Sequence, residues 1–418
     1  MLYQFTFKNF KSFKNEVTIN LLASSIKEHP SDVVADLAEE QVLKVAAIYG
    51  ANASGKSNAI DAFSAMRKFI LESFKDNEVD GLQELNAHWF EEKDAPTEFS
   101  VLFSTNEHVF QYGFSIVEHD IQEEFLFRRD LSEKKEKYTP LFERVKNDFS
   151  GELLKEIELE TILKLITNNT LLISVLAQLK LPLIQEVFSW FKNNHPANYG
   201  NPKTEINKYM TFSDLKSVDP LVDFLENEQN KKDIEQFIRA VDVGIQGFGI
   251  YRTRKKGLLP AYGDIKFAVT YHKIPGRDNY HTVPIWEESS GTQKIISLYM
   301  DMKKVLDNGQ TLFIDELDAR IHPLLLRYIL ILVHDKKTNP KNAQLIFSTQ
   351  EVFTLDKENL RRDEIWFVDK DEDGVSDLYS LVDYVDDEDK KVRNDASYGK
   401  DYILGRYKSI PSIKKLKA

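Results

Sequence analysis

There is no cysteine among the 418 residues, which excludes disulfides and thiolate metal sites and leaves a cytoplasmic location as the expectation. No apolar run approaches the roughly 20 residues that span a bilayer. The opening, MLYQFTFKNFKSF, alternates apolar and polar residues as a strand does and lacks the apolar block of a signal peptide. Positive charge is also short: the net charge of −12 argues against a protein that coats nucleic acid over its whole surface. Two local basic clusters remain, Arg252, Arg254, Lys255 and Lys256, and Lys408, Lys414, Lys415 and Lys417. Either could meet nucleic acid, although such runs are usually solvated faces. What is present is ordinary: 42% apolar and 29% charged residues, in a chain long enough for one large core or two medium ones.

Periodicity divides the chain into three stretches. Residues 1–149 alternate apolar and polar positions around one helix. Tyr3, Phe5 and Phe7, then Val17, Ile19 and Leu21, predict a paired opening. A short apolar strand at 45–49 precedes a helix over 56–74, where Ile60, Phe63, Met66, Phe69 and Ile70 share a face. Strands at 98–103, 108–116 and 124–127 suggest an antiparallel meander. Residues 150–240 read as a helical insert, with helices over 152–192 and 219–240 and a loop over 193–205. It is too short and too broken for a long coiled-coil arm. Residues 241–418 return to strands at 245–251, 265–270, 312–314, 345–347 and 365–368. The fold class is α/β.

Three motifs carry chemistry. Gly50, Ala51, Asn52, Ala53, Ser54, Gly55, Lys56 and Ser57 form a full GxxxxGK[ST] phosphate loop between a strand and a helix, with Asn58 next in line. Such a loop points amides at phosphate oxygens, its lysine reaches the β- and γ-phosphates, and its serine ligates Mg²⁺. The strand ending in Asp315 and Glu316 puts two carboxylates at an edge where α/β sheets bind ligands. Asp315 would hold the Mg²⁺ shell and Glu316 would orient the attacking water. Finally, Ser289, Ser290, Gly291, Thr292 and Gln293 open an apolar helix, where a hydroxyl and free amides suit an anion. The segment Asp369, Asp371, Asp373 and Gly374 imitates a calcium loop. Ser380 stands at its twelfth position, so a solvated hairpin turn is the expectation.

With Asn9-Phe10-Lys11-Ser12-Phe13, the phosphate loop, ESSGTQ and IDELDARIHP, the sequence resembles RecF/SMC-related ABC-type ATPases. Within these it is most similar to the AAA-type ATPases of bacterial phage-defence operons, the RloA/AbiLi group, with kinship to the OLD ATPase head. PTEFSVLF, TNNTLLISVLA, IRAVDVGI and the tail YILGRY extend the likeness over nearly the whole chain. The resemblance implies an ABC-type ATPase head that closes on ATP as a head-to-tail dimer. In that dimer the Ser289–Gln293 signature reaches the partner's γ-phosphate and Asp318 serves as the D-loop. Relatives carry a switch histidine after the strand at 345–349; here Gln350 stands in its place, and slow turnover follows. The Q-loop glutamine stays open among Gln83, Gln111 and Gln122. Too little chain follows the Asp-Glu strand for a nuclease domain like that of OLD proteins. The expected partners are therefore a second copy, a separately encoded effector and, locally, nucleic acid. The alternative is an ATPase of DNA repair or chromosome maintenance.

Overall fold

A computed structural model describes residues 1–36, 38–74, 85–105, 107–131, 137–200, 220–241, 244–253, 265–386 and 388–410. It resolves into two compact units. The first comprises Met1–Pro196, Val305–Glu316 and Arg327–Ala418; the second comprises Ala197–Lys304 and Leu317–Leu326.

The first unit carries the expected meander. Its sheet runs Asp148–Ser150, Thr139–Val145, Asp120–Asp130, His108–Val117, Thr97–Ser104, Leu2–Lys8, Val17–Asn20, with every neighbouring pair antiparallel. Beside it stands a mainly parallel sheet containing, in order, Thr311–Asp315, Gln344–Ser348, Val45–Gly50, Ile365–Lys370 and Ser376–Ser380. The short strand His195–Asn198, where the chain passes into the second unit, adds to its outer edge. All five residues of Thr311–Asp315 and of Gln344–Ser348 are buried, as are all six of Val45–Gly50. Strands covered on both faces need such continuous apolar runs, which is why these segments lack the alternation of the meander. The helix Lys56–Glu72 packs into the core through Phe63, which stacks on Phe313 at 3.9 Å and meets Phe5 edge-on at 5.5 Å. Aromatic pairs of this kind add about 0.5–1.5 kcal/mol each to their burial.

The helical pattern over 152–192 is realised as short pieces, Leu159–Leu163, Leu172–Leu176 and Pro182–Asn193. Two causes are visible. Arg144, itself buried, donates to the carbonyls of Thr167 and Thr170, which takes the intervening turn out of the helix. Further on, Lys180 adopts a left-handed φ of 56° just before Leu181-Pro182, a pair whose first residue is driven out of the helical region. Leu172, Ile173, Val187, Trp190 and Phe191 are buried in the core of the first unit. Among the described residues no single helix is long and apolar enough to cross a membrane. Most of the loop expected at 193–205 either forms the strand His195–Asn198 or, from residue 201, lies outside the described residues.

In the second unit the expected helix at 219–240 is two, Pro220–Glu226 and Glu228–Val241. The break is local: the Asn227 side chain accepts from the amides of Gln229 and Asn230, capping the second helix. Phe237 and Phe224 of these helices pack on Tyr299 of the helix Ser290–Asn308. A three-stranded antiparallel sheet, Ile245–Thr253, Ile265–Lys273 and Tyr280–Pro284, completes the unit.

The expected hairpin at 369–374 is present. Ile365–Lys370 and Ser376–Ser380 pair antiparallel, and the Asp371 carboxylate accepts from the Val375 amide to close the turn. That carboxylate is therefore a turn cap, and no calcium loop with flanking helices is found there.

Candidate functional site

Three adjacent parallel strands end at one edge of the central sheet. Register aligns Ile314, Phe347 and Ala47 across them. Immediately beyond these levels come Asp315-Glu316, Ser348-Thr349-Gln350 and the loop that starts at Gly50. Residues far apart in sequence are thus brought to one carboxyl edge by strand order alone.

The loop is held from behind. Gly55 has φ 123°, a left-handed conformation suited to glycine, and a Cβ there would meet Ser376 Oγ at 2.6 Å and Ser12 Oγ at 2.9 Å. Ser376 Oγ donates to Ser54 O at 2.5 Å and shares a second hydrogen bond with the Ser12 hydroxyl at 2.8 Å, and Asn58 Nδ2 donates to Ser12 Oγ at 2.8 Å. Lys11 pairs with Asp61 at 2.6 Å. The Asn9–Phe13 segment is therefore a buttress under the loop and the first turns of its helix. Ser376, on the far hairpin, was not visible as part of this arrangement in the sequence.

Several features fit a bound anion and cation. The helix Lys56–Glu72 has no side-chain cap and no acidic residue in its first turn, so its free amides offer partial positive charge. Lys56 is buried and donates to the carbonyls of Gly50 and Ala51 at 2.8 and 2.9 Å, spanning its own loop. Ser54 Oγ is buried without a hydrogen-bond partner. Ser57 is exposed, and Asn52 and Ala53 are exposed with Ala53 at a left-handed φ of 62°. Asp315 is 4% exposed and, among the described residues, forms no ion pair. A buried carboxylate without a protein cation is the donor a metal ion needs. Its Oδ1 accepts from Ser348 Oγ at 2.5 Å, and the same hydroxyl accepts from Glu316 N at 2.8 Å. Glu316 takes a left-handed φ of 53°, a strained setting that turns its side chain away from the strand's regular alternation. Gln350 is exposed, directly after Thr349, whose amide donates to Ile48 O.

The signature residues lie in the second unit. Ser289 caps the helix Ser290–Asn308 by accepting from Thr292 N at 3.1 Å, and Ser289 and Ser290 are exposed. Gln293 Nε2 donates to the carbonyls of Glu288 and Ile285, fixing the approach of the chain. A Cβ on Gly291 would lie 3.5 Å from Arg320 O. The link to Asp318 is one the sequence did not announce. Lys294, fully buried, donates to Leu317 O at 3.0 Å and Ala319 O at 2.5 Å, on either side of Asp318. The ammonium also lies 5.1 Å from the centroid of the Tyr199 ring, whose hydroxyl donates to Asp301. On the helical pattern alone, a lysine in this helix reads as a solvated residue; only the fold shows the carbonyls it holds.

Of the glutamines left open, Gln111 and Gln122 lie on meander strands, and Gln83 lies outside the described residues. Arg252 pairs with Glu226 at 3.6 Å, while Arg254, Lys255, Lys256, Lys414, Lys415 and Lys417 lie outside the described residues.

A family model described as "AAA domain, putative AbiEii toxin, Type IV TA system" matches residues 45–356, about three quarters of the chain. The match begins at the phosphate-loop strand and ends just past Gln350. Curated proteins give no match.

Proposed function

The chain belongs to the AbiEii-type AAA domain family, and on that premise we propose that it binds and hydrolyses ATP as an ABC-type, RecF/SMC-like ATPase. The observation that carries this is the convergence of Lys56, Asp315, Glu316 and Gln350 at the ends of three neighbouring strands. Lys56 leaves its own loop carbonyls for the β- and γ-phosphates, where a pairing of opposite charges replaces two bonds to neutral carbonyls. The uncapped amides of Gly55 to Asn58 and the free Ser54 hydroxyl bind the phosphate oxygens. Ser57 and Asp315 would hold Mg²⁺, which supplies charge neutralisation between the transferred and leaving phosphates. Glu316, next to Asp315 but outside the metal's donor set, orients the water.

Closure is proposed to occur between two copies. Ser289, Ser290 and Gly291 of one copy offer hydroxyls and amides at the start of a 19-residue helix to the γ-phosphate held by the other. The family's description names toxins of a toxin–antitoxin system. That wording favours a sensor or motor subunit of an anti-phage system, acting with a separately encoded effector, over chromosome repair. Mass photometry of the full chain with its neighbouring gene product tests this. ATP with Mg²⁺ is expected to shift the chain to at least twice its mass and to change its association with the neighbour. An unchanged mass distribution together with no phosphate release would sink the reading.

Gln350 sets the expected speed. A neutral amide stabilises developing phosphate charge less than an imidazolium, because charge-assisted hydrogen bonds are about twice as strong as neutral ones. Gln350→His should raise turnover by about tenfold, roughly 1.4 kcal/mol of barrier, with ATP affinity changed far less. A coupled phosphate-release assay reads this directly. Equal turnover in wild type, Gln350→His and Gln350→Ala would remove Gln350 from the reaction.

A further inference from the structure

The sheet of the second unit carries an aromatic face that the nucleotide site does not use. Directly paired residues of antiparallel strands share a face, and successive residues alternate. Phe267 pairs with Tyr251 and Lys273 with Tyr280, so these four share a face with Tyr271. The opposite face buries Phe248, Ala268 and Thr270, and on the aromatic face Val269, between Phe267 and Tyr271, is buried as well. Elsewhere on the aromatic face Tyr251 is 51% exposed, Tyr280 55% and the adjoining Trp286 39%. The rings fall into two groups along the sheet, Tyr251, Phe267 and Trp286 at 5.1 and 4.9 Å, and Tyr271 with Tyr280 at 6.3 Å.

Tyr271 shows what this face suits. Its direct partner is Gly247, and the next residue of that strand on the same face is Gly249. A Cβ on Gly249 would fall 2.0 Å from Tyr271 Oη and 2.5 Å from Cζ; a Cβ on Gly247 would meet the Glu235 carboxylate at 3.0 Å first and Tyr271 Cδ2 at 3.7 Å. The ring therefore lies down along the neighbouring strand, over Gly249, which leaves room for it. A tyrosine standing upright would present its edge and hydroxyl; this one presents a flat π-face. Flat rings on an open sheet are stacking platforms for planar groups, and every nucleobase has such a face.

Charge agrees with that occupant. Among the described residues in 245–284, the cations free of the other face are Lys273 and Arg277, with one acid, Asp278, beside them. Lys273 and Arg277 are exposed at the end of the sheet where Tyr280 lies. Arg252 and Lys266 are partly committed to Glu226 on the other face.

We infer that this aromatic face binds single-stranded nucleic acid, with Tyr271, Tyr251 and Tyr280 stacking on bases and Lys273 and Arg277 meeting the phosphates. A duplex keeps its bases stacked inside and cannot use the rings. The inference is independent of the nucleotide-site reading, since none of these residues lies in that site.

The test is fluorescence anisotropy of the full chain with labelled oligo-dT and oligo-rU of about 20 nucleotides, and with a duplex of equal length, at about 50 mM salt. Both single strands, or one of them, should bind more tightly than the duplex, and the two arms decide between DNA and RNA. Tyr271→Ala should weaken binding by about tenfold, and Tyr271→Phe, which keeps the ring, should restore it. Tyr280→Ala, at an exposed position that cannot disturb the core, should weaken it several-fold. ATP titration and circular dichroism should stay at wild-type values in all three. Absence of single-strand binding, or equal affinity in wild type, Tyr271→Ala and Tyr280→Ala, would overturn the inference. So would loss of self-association in Tyr280→Ala without change in oligonucleotide affinity, which would assign the face to a second copy.

Discussion

Lys56→Ala is expected to lose ATP affinity by at least about a hundredfold in a calorimetric titration, some 2.7 kcal/mol. The ammonium is the one charged group that the loop offers to the β- and γ-phosphates. A hydrogen bond to a charged group contributes about 1.5–3 kcal/mol, and two phosphates share this donor. Part of that gain is offset in wild type, because Lys56 first gives up the carbonyls of Gly50 and Ala51. In the alanine variant those carbonyls turn to water, so the loop can loosen without unfolding the core behind it. Thermal unfolding without nucleotide should therefore change little, while the stabilisation that ATP confers on wild type should vanish. Near wild-type affinity in the variant would mean that nucleotide binds elsewhere.

Glu316→Gln is expected to keep ATP binding and to slow hydrolysis by about 10²–10⁴-fold, the range for loss of a positioned general base. Glutamine has almost the same shape and can occupy the same φ of 53°, so the strained backbone and its bond to Ser348 survive. What is lost is the carboxylate proposed to accept a proton from the attacking water. With the exit from the ATP state blocked, closed pairs should accumulate. Sedimentation velocity with ATP and Mg²⁺ should show more associated protein than in the nucleotide-free sample. If turnover stayed within a few-fold of wild type, Glu316 would not be the group that handles the water.

The segments that carry the proposed site were legible in the sequence, and the scaffolding around them was not. A glycine-rich loop between strand and helix, and an apolar strand ending in two acids, are local patterns with local causes. Strand order then had only to bring them to one edge. Ser348 escaped notice because a serine at a strand end has many uses, and its two bonds exist only between neighbouring strands. Ser12 and Ser376 prop the loop across more than 300 residues of sequence, which no spacing rule reports. Helix lengths failed for a related reason. The apolar periodicity over 152–192 is real, but a buried arginine reaching from a meander strand claimed the carbonyls that a continuous helix would have used. Tyr271 follows directly on a strand legible in the sequence; that it lies flat follows only from the space over Gly249, beside its partner Gly247.

The strand Gln344–Ser348 has a consequence for how the protein can vary in length. It lies between the phosphate-loop strand and the acidic strand, and Ser348 joins both halves of the acid pair through one hydroxyl. Side chains along a strand alternate with a period of two, so inserting or deleting a single residue within 344–348 would turn the residue after it to the opposite face. An insertion would put Phe347 where the hydroxyl is needed, and a deletion would put Thr349 there only at the expense of the bond its own hydroxyl accepts from the Glu351 amide; either way the residue that follows Thr349 would shift. One change in length would unseat the support of the proposed metal ligand Asp315, a strained backbone and the position after the strand together. Loops elsewhere in the chain can grow at little cost; in this five-residue segment the count of residues is as much a part of the site as their identities.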